Sequence, residues 1–191
     1  MYKQCRTEQS AQRQRQIEFG LVKIMSNLRY EDITVSDLCE MLNIPRKTFY
    51  RYFSGKDGAL YGLIDHTLME YELGSAKCAG KRTLQTELES FFCFWKNRSQ
   101  LLDALHRSGL SGILIERSIN YSVSEGGFPI RFLSQERARV RKHLVRFAVC
   151  GLMTMMLQWH IDGYLEDPSE MAQIAGRLVT QPLFPNLDFI L

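Results

Sequence analysis

Apolar residues recur along this chain at intervals of three and four, with no sustained two-residue alternation, so the pattern predicts helices almost throughout. Ile17, Leu21, Ile24 and Leu28 stand at i, i+4, i+7 and i+11, one stripe of an amphipathic helix of about four turns. Gly20 lies beside that stripe, where a missing side chain lets another helix cross closely. Thr34 with Asp37 three residues on is a variant of the capping box, and Ile33 and Leu38 occupy the positions of a hydrophobic staple. Together they open a helix over about 35–42 that buries Leu38, Met41 and Leu42. Asn43 ends it, because asparagine tolerates the left-handed conformation at C′. Ile44 follows as a buried turn residue, and Pro45 supplies the φ suited to the first position of a new helix. Two short helices joined by a tight turn make a helix-turn-helix.

The remaining pattern is also helical. Ser54 with Asp57 caps a longer helix through Leu60, Leu63, Ile64, Leu68 and Tyr71, ending near "CAGK", and residues 74–82 are the expected domain boundary. Beyond it, two or three helices are interrupted near Asn97 and near Ser108–Gly109, and "SEGGFP" reads as a loop. A long helix from about Gln135 to Gly163 follows, charged at first and then strongly apolar. Pro168 begins the last helix, to about Val179, and the tail "QPLFPNLDFIL" reads as irregular.

Composition narrows the setting. At 191 residues the chain can bury a core without disulfide or metal staples. The five cysteines are odd in number, scattered and never spaced C-x-x-C, which points to ordinary thiols in a reducing cytosol. No uninterrupted apolar run of membrane-spanning length is evident, and "MYKQCRTEQSAQRQRQ" lacks the apolar middle of a signal peptide, so a soluble, cytoplasmic protein is expected. The net charge of +3 is concentrated: residues 1–60 carry ten basic against seven acidic side chains, and the remainder fourteen of each sign. A polyanion is the partner such an end would attract.

The stretch "NIPRKTFYRYFSGKD", residues 43–57, gives that partner a shape. If Phe49 and Phe53 anchor the second short helix, then Lys47, Thr48 and Tyr50 point away from the core. The major groove of DNA admits such a helix, where Lys or Arg reaches guanine edges and Thr contacts a thymine methyl. Tyrosine hydroxyls, Lys56 and N–H groups at helix starts suit the flanking phosphates.

The run "YEDITVSDLCEMLNIPRKTFYRYFSGKDGALYGLID", residues 30–65, resembles the DNA-binding domain of the TetR family of transcriptional regulators, with Thr34, the T-F-Y-x-Y-F run at 48–53 and Lys56-Asp57 in register. The resemblance implies an all-α chain with a helix-turn-helix over 34–53 in a DNA-binding domain of residues 1–73, and an effector-binding and dimerisation domain over 74–191. It implies a homodimer on a palindromic double-stranded DNA operator. Carried over by position, Lys47 and Thr48 read bases and Arg46 contacts base or backbone. Tyr50, Tyr52 and Lys56 hold phosphates, and Thr34 and Ser36 add phosphate contacts. Asn43 stands where the family usually has glycine, and Tyr52 where histidine is frequent. The C-terminal half is similar to the effector domain of dihydroxyacetone-kinase-operon type regulators, a subgroup with activators as well as repressors.

The other candidate chemistry is sparse. His106, His143 and His160, with Glu116 and Asp162, match no metal-ligand spacing, and His66 is placed at the surface of the linking helix. Ser108, Ser111, Ser118 and the cysteines show no nucleophile elbow, so neither an enzyme nor a cofactor is expected. The clusters around Phe91–Trp95 and Met153–Trp159 read as core, or as the wall of a pocket for a small-molecule effector. Trp95, His106, Arg117, Tyr121, Phe147, Met155 and Trp159 are the pocket candidates. The last two helices are the expected dimer surface, two per subunit forming a four-helix bundle. The expected function is a ligand-responsive repressor. A transcriptional activator and, from another class, a helical protein–protein adaptor are the alternatives.

Overall fold

The three-and-four spacing resolves into nine α-helices among the described residues, which are 1–77, 83–125 and 137–181 of this computed structural model. They are α1 (Glu8–Met25), α2 (Val35–Met41), α3 (Arg46–Tyr52), α4 (Lys56–Lys77), α5 (Leu84–Lys96), α6 (Ser99–Arg107), α7 (Ser111–Glu125), α8 (Ala138–Ile161) and α9 (Pro168–Thr180), with a short 3-10 turn at Tyr30–Asp32. The class is all-α, as the spacing predicts. The expected helix end at residues 78–82, the glycines of "SEGGFP" and all but the first residue of the tail lie outside the described residues.

Two compact units form, one from Met1–Glu70 with Ser99–Ser118, the other from Tyr71–Arg98 with residues from Ile119 on. The sequence division at residue 73 leaves residues 99–118 with the C-terminal part. They join the first unit because α6 packs on α1 and closes its end. Arg107 donates to the carbonyl oxygens of Ser26 (3.0 Å) and Met25 (3.2 Å), which the end of α1 would otherwise leave unpaired. The neighbouring Ser108 hydroxyl accepts the Tyr30 N–H.

In the first unit Ile17, Leu21 and Ile24 are buried as their stripe requires. Leu28, the expected fourth member, is exposed because α1 ends at Met25 and the chain has already turned. Gly20 does permit a close crossing: a Cβ there would stand 2.7 Å from the Leu42 side chain. The Thr34–Asp37 capping box forms, and Ile33 and Leu38 are both buried. Met41, however, is exposed and Leu42 and Ile44 only half-buried, while Cys39 takes the inward place beside Leu38. Asn43 adopts φ 49°, the left-handed value expected of it.

Two features have no counterpart in the sequence pattern. Residues 1–5 form a strap: Tyr2 bridges Phe53, Lys3 N–H donates to the Tyr52 carbonyl (2.9 Å), and Gln14 donates to the Lys3 carbonyl. Met1 lies so close to α4 that a Cβ on Gly58 would come within 2.5 Å of its carbonyl oxygen. Ser54, expected to cap α4 with Asp57, instead exchanges hydrogen bonds with Met1. The second feature is a buried ionic cluster. The Glu18 carboxylate is fully buried on α1 and meets Arg15 (3.0 Å) and His66 Nδ1 (2.9 Å), while Arg15 also pairs with Glu70. His66 is therefore drawn inward, not left on the surface.

The second unit is built on aromatic and methionine packing. Phe92 meets Trp159 edge-on at 5.4 Å, Trp159 meets Tyr164 at 4.7 Å, and Lys96 lies over both rings of that pair. Asp167 caps α9 with Glu170 three residues on, and Pro168 takes its first position. α8 is long and apolar enough to cross a membrane by length and composition, a property that the core helix of a soluble protein shares. Its apolar residues divide between a face buried in the unit, which holds Val145, Val149, Leu152 and Met156, and an exposed one.

Candidate nucleic-acid interface

α3 carries the site because its two faces differ. Phe49 and Phe53 have no exposed surface and lie 5.5 Å apart, so they fix the helix against the first unit. The opposite face holds Arg46, Lys47, Tyr50 and Arg51, all exposed, with Thr48 half-buried beside them. Among the described residues Arg46, Lys47 and Arg51 have no carboxylate partner. Tyr50 lies edge-on against Phe49 at 5.5 Å and keeps much of its side chain exposed.

The start of α2 adds a second exposed polar edge, Thr34 and Ser36. The Thr34 hydroxyl is already engaged with Asp37 (2.7 Å), which in turn receives the Thr34 N–H. Those hydrogen bonds hold the Asp37 carboxyl below its ordinary pKa.

Two candidates sit differently from the expectation. Tyr52 is buried, its ring against Phe53, because it falls on the inward face with Phe49. Lys56 Nζ donates to three carbonyl oxygens, those of Tyr30 (2.7 Å), Glu31 (3.0 Å) and Ile33 (2.7 Å), and stands over the Tyr30 ring. All three ammonium protons are thereby used on the 3-10 turn, whose carbonyls need donors. Asp57 accepts the Tyr30 hydroxyl at 2.5 Å, and burial together with that carboxylate drives the Tyr30 pKa far upward.

The effector candidates do not gather in one unit. His106 and Arg117 belong to the first, the other five to the second. Arg117 forms a two-pronged pair with Asp65, which also accepts the Tyr2 hydroxyl (2.8 Å), and its guanidinium lies over Tyr61. Trp95 and Trp159 are core, Tyr121 and Met155 half-buried, and His106 exposed. Phe147 is 73% exposed. Among the described residues no group of three or more His, Cys, Asp or Glu is placed to hold a metal ion.

Three solved structures resemble the chain along most of its length. The dihydroxyacetone kinase operon activator DhaS is 15% identical, with a TM-score of 0.59 over 87% of this chain and 93% of that one. The fatty acid degradation regulator FadR from Bacillus halodurans is 14% identical, with a TM-score of 0.57 over 90% and 96%. The TetR family repressor AlkX from Dietzia sp. is 17% identical, with a TM-score of 0.53 over 87% and 92%. The fold is that of TetR-family regulators. No family model matches the chain, and no curated protein matches it.

Sequence reasoning missed the strap, the Glu18 cluster, the Asp65–Arg117 pair and the Lys56 clamp. Each joins residues far apart in the chain, and no local spacing announces such pairs. Arg51 had a readable signal, since it follows Arg46 and Lys47 by five and four residues on the same outward face.

Proposed function

We propose that the protein is a sequence-specific DNA-binding transcriptional regulator that acts as a homodimer on a palindromic operator. The observation that carries this reading is α3 itself, pinned by Phe49 and Phe53 and presenting Arg46, Lys47, Tyr50 and Arg51 to solvent within a TetR-like fold. Such a helix fits the major groove, where Lys47 and Thr48 contact bases and Arg46, Tyr50 and Arg51 meet base edges or phosphates. Thr34 and Ser36 offer the neighbouring phosphate contacts. Tyr52 and Lys56 contribute by holding α3 and the 3-10 turn in place. Two copies joined through the exposed apolar faces of α8 and α9 would set two recognition helices in successive grooves.

Repression by a bound head that a small-molecule effector releases is the default action. Activation is the second reading, favoured by the likeness to DhaS, itself an operon activator. Tyr121 and Met155 are the half-buried pocket candidates of the second unit.

The test is binding of the purified protein to labelled DNA flanking its own gene, followed by fluorescence anisotropy over a salt series. Salt-dependent, sequence-selective binding that Lys47→Ala and Tyr50→Phe weaken is expected. Binding indifferent to both substitutions, or absent while apolar surface substitutions abolish function, would favour an adaptor instead.

A further inference from the structure

We infer that the groove between α1 and the turn of the helix-turn-helix binds a small amphipathic carboxylate, its acid group on Arg13 and its apolar body between Ile17, Phe19 and Ile44. The groove lies within the first unit and shares no residue with the effector candidates above. It goes beyond the DNA-binding reading and does not depend on it.

The first observation is a cavity of about 280 Å³ lined by Arg13, Gln16, Ile17, Phe19, Leu42 and Ile44. Ligand sites are mostly apolar concavities of about 300 Å³ upward with a few placed polar groups, so this one suits a ligand below drug size. A folded partner must bury far more surface than such a groove offers. The walls are preformed. Leu42 is set against α1 at Gly20, where a Cβ would stand 2.7 Å from its side chain. Ile44 is fixed by the left-handed Asn43 before it and by its own N–H, which donates to the Cys39 carbonyl (2.9 Å). The Arg15 guanidinium stands 5.6 Å from the centre of the Phe19 ring, and Arg15 is itself anchored by Glu18. Such walls need little ordering when a ligand enters. The Phe19 ring is nevertheless 58% exposed, and Leu42 and Ile44 only half-buried, beside an Ile17 with almost no exposure. Covering that apolar surface is the gain a hydrocarbon chain would bring.

The second observation is the charge at one end. Arg13 has no carboxylate partner among the described residues. Its Nη1 donates to Gln16 Oε1 (3.0 Å), which holds the guanidinium along α1 with further N–H groups to donate. From Arg13 to Phe19 the helix rises about 9 Å, close to the length of an extended octanoate. A carboxylate matches the forked geometry of a guanidinium, whereas an amine is repelled by it.

Octanoate titrated into the full-length protein, followed by methyl NMR and by thermal unfolding, tests this. Saturable shifts at Ile17 and Ile44 at millimolar concentration and a raised Tm are expected, because a ligand that binds the folded state stabilises it. Octanol is expected to bind about fivefold more weakly, and octylamine not at all. Arg13→Gln should weaken octanoate by about the same fivefold and leave octanol unchanged. Phe19→Ser, at an exposed position, should weaken both by about tenfold. Equal binding of octanoate and octanol overturns the carboxylate assignment, and shifts that miss Ile17 and Ile44 overturn the site. Self-association that Phe19→Ser abolishes and octanoate leaves undisturbed also overturns it, and gives the groove to a second copy. None of these readouts involves DNA, so their failure is distinct from failure of the DNA-binding reading.

Discussion

Lys56 Nζ lies 2.7 Å from the carbonyl oxygen of Ile33, the residue immediately before the Thr34 cap of α2. The first residue of α4 is thus tied to the entrance of the helix-turn-helix. Lys56→Met should destabilise the protein by about 2 kcal/mol in urea unfolding, the scale of lost hydrogen bonds from a charged donor. It should leave the salt slope of DNA binding unchanged. A phosphate-contacting lysine would lower that slope by about one, so the slope separates the two roles.

Tyr30 makes stability sensitive to alkali. Burial first, and the Asp57 carboxylate second, raise its pKa in the folded state above the ordinary 10.0. A raised folded pKa means the contribution is fully present below that ordinary value and is lost as pH rises above it. Tyr2, raised by burial and by Asp65, acts in the same direction. The urea midpoint should fall steeply above about pH 10, and Tyr30→Phe should make that fall shallower while costing about 1 kcal/mol at neutral pH.

The fully buried Glu18 carboxylate depends on its partners. His66→Ala leaves it with Arg15 alone and should cost about 2 kcal/mol, the scale of a hydrogen bond lost from a charged acceptor. In a double-mutant cycle with Glu18→Gln the two losses should fall well short of their sum. Additive losses would mean that the contact contributes nothing.

Arg51 is the cation of α3 to which the motif alone assigns no task. Its exposed position predicts that Arg51→Ala weakens binding nearly uniformly across DNA sequences and lowers the salt slope by about one. Lys47→Ala should instead relax preference at one or two base positions, at a cost of about 1–3 kcal/mol. A panel of operator variants scored by anisotropy distinguishes them.

Local chemistry was legible in the sequence, and distant pairing was not. The Thr34–Asp37 box, the left-handed Asn43 and the Pro168 start of α9 each need only neighbouring residues, and each forms. Phe49 and Phe53 could be assigned inward because helical spacing decides faces. The same spacing places Tyr52 inward, but its polar tip suggested a ligand contact. Ser54 and Lys56 went astray for another reason: their partners, Met1 and the 3-10 turn, come from remote parts of the chain. Leu28 failed because the stripe continues past the point where the backbone stops being helical.

The membership of residues 99–118 in the first unit bears on how this fold can be re-engineered. A chimera cut after residue 73 would carry α1 to α3 and most of α4 without Arg107 and Ser108, leaving the end of α1 and the Tyr30 amide to water. Grafting the outward face of α3 onto another protein therefore means transplanting a discontinuous segment, or re-creating those two contacts on the recipient scaffold. Exchange of only the outward residues of α3 avoids that problem, because it changes the exposed face and leaves its supports untouched.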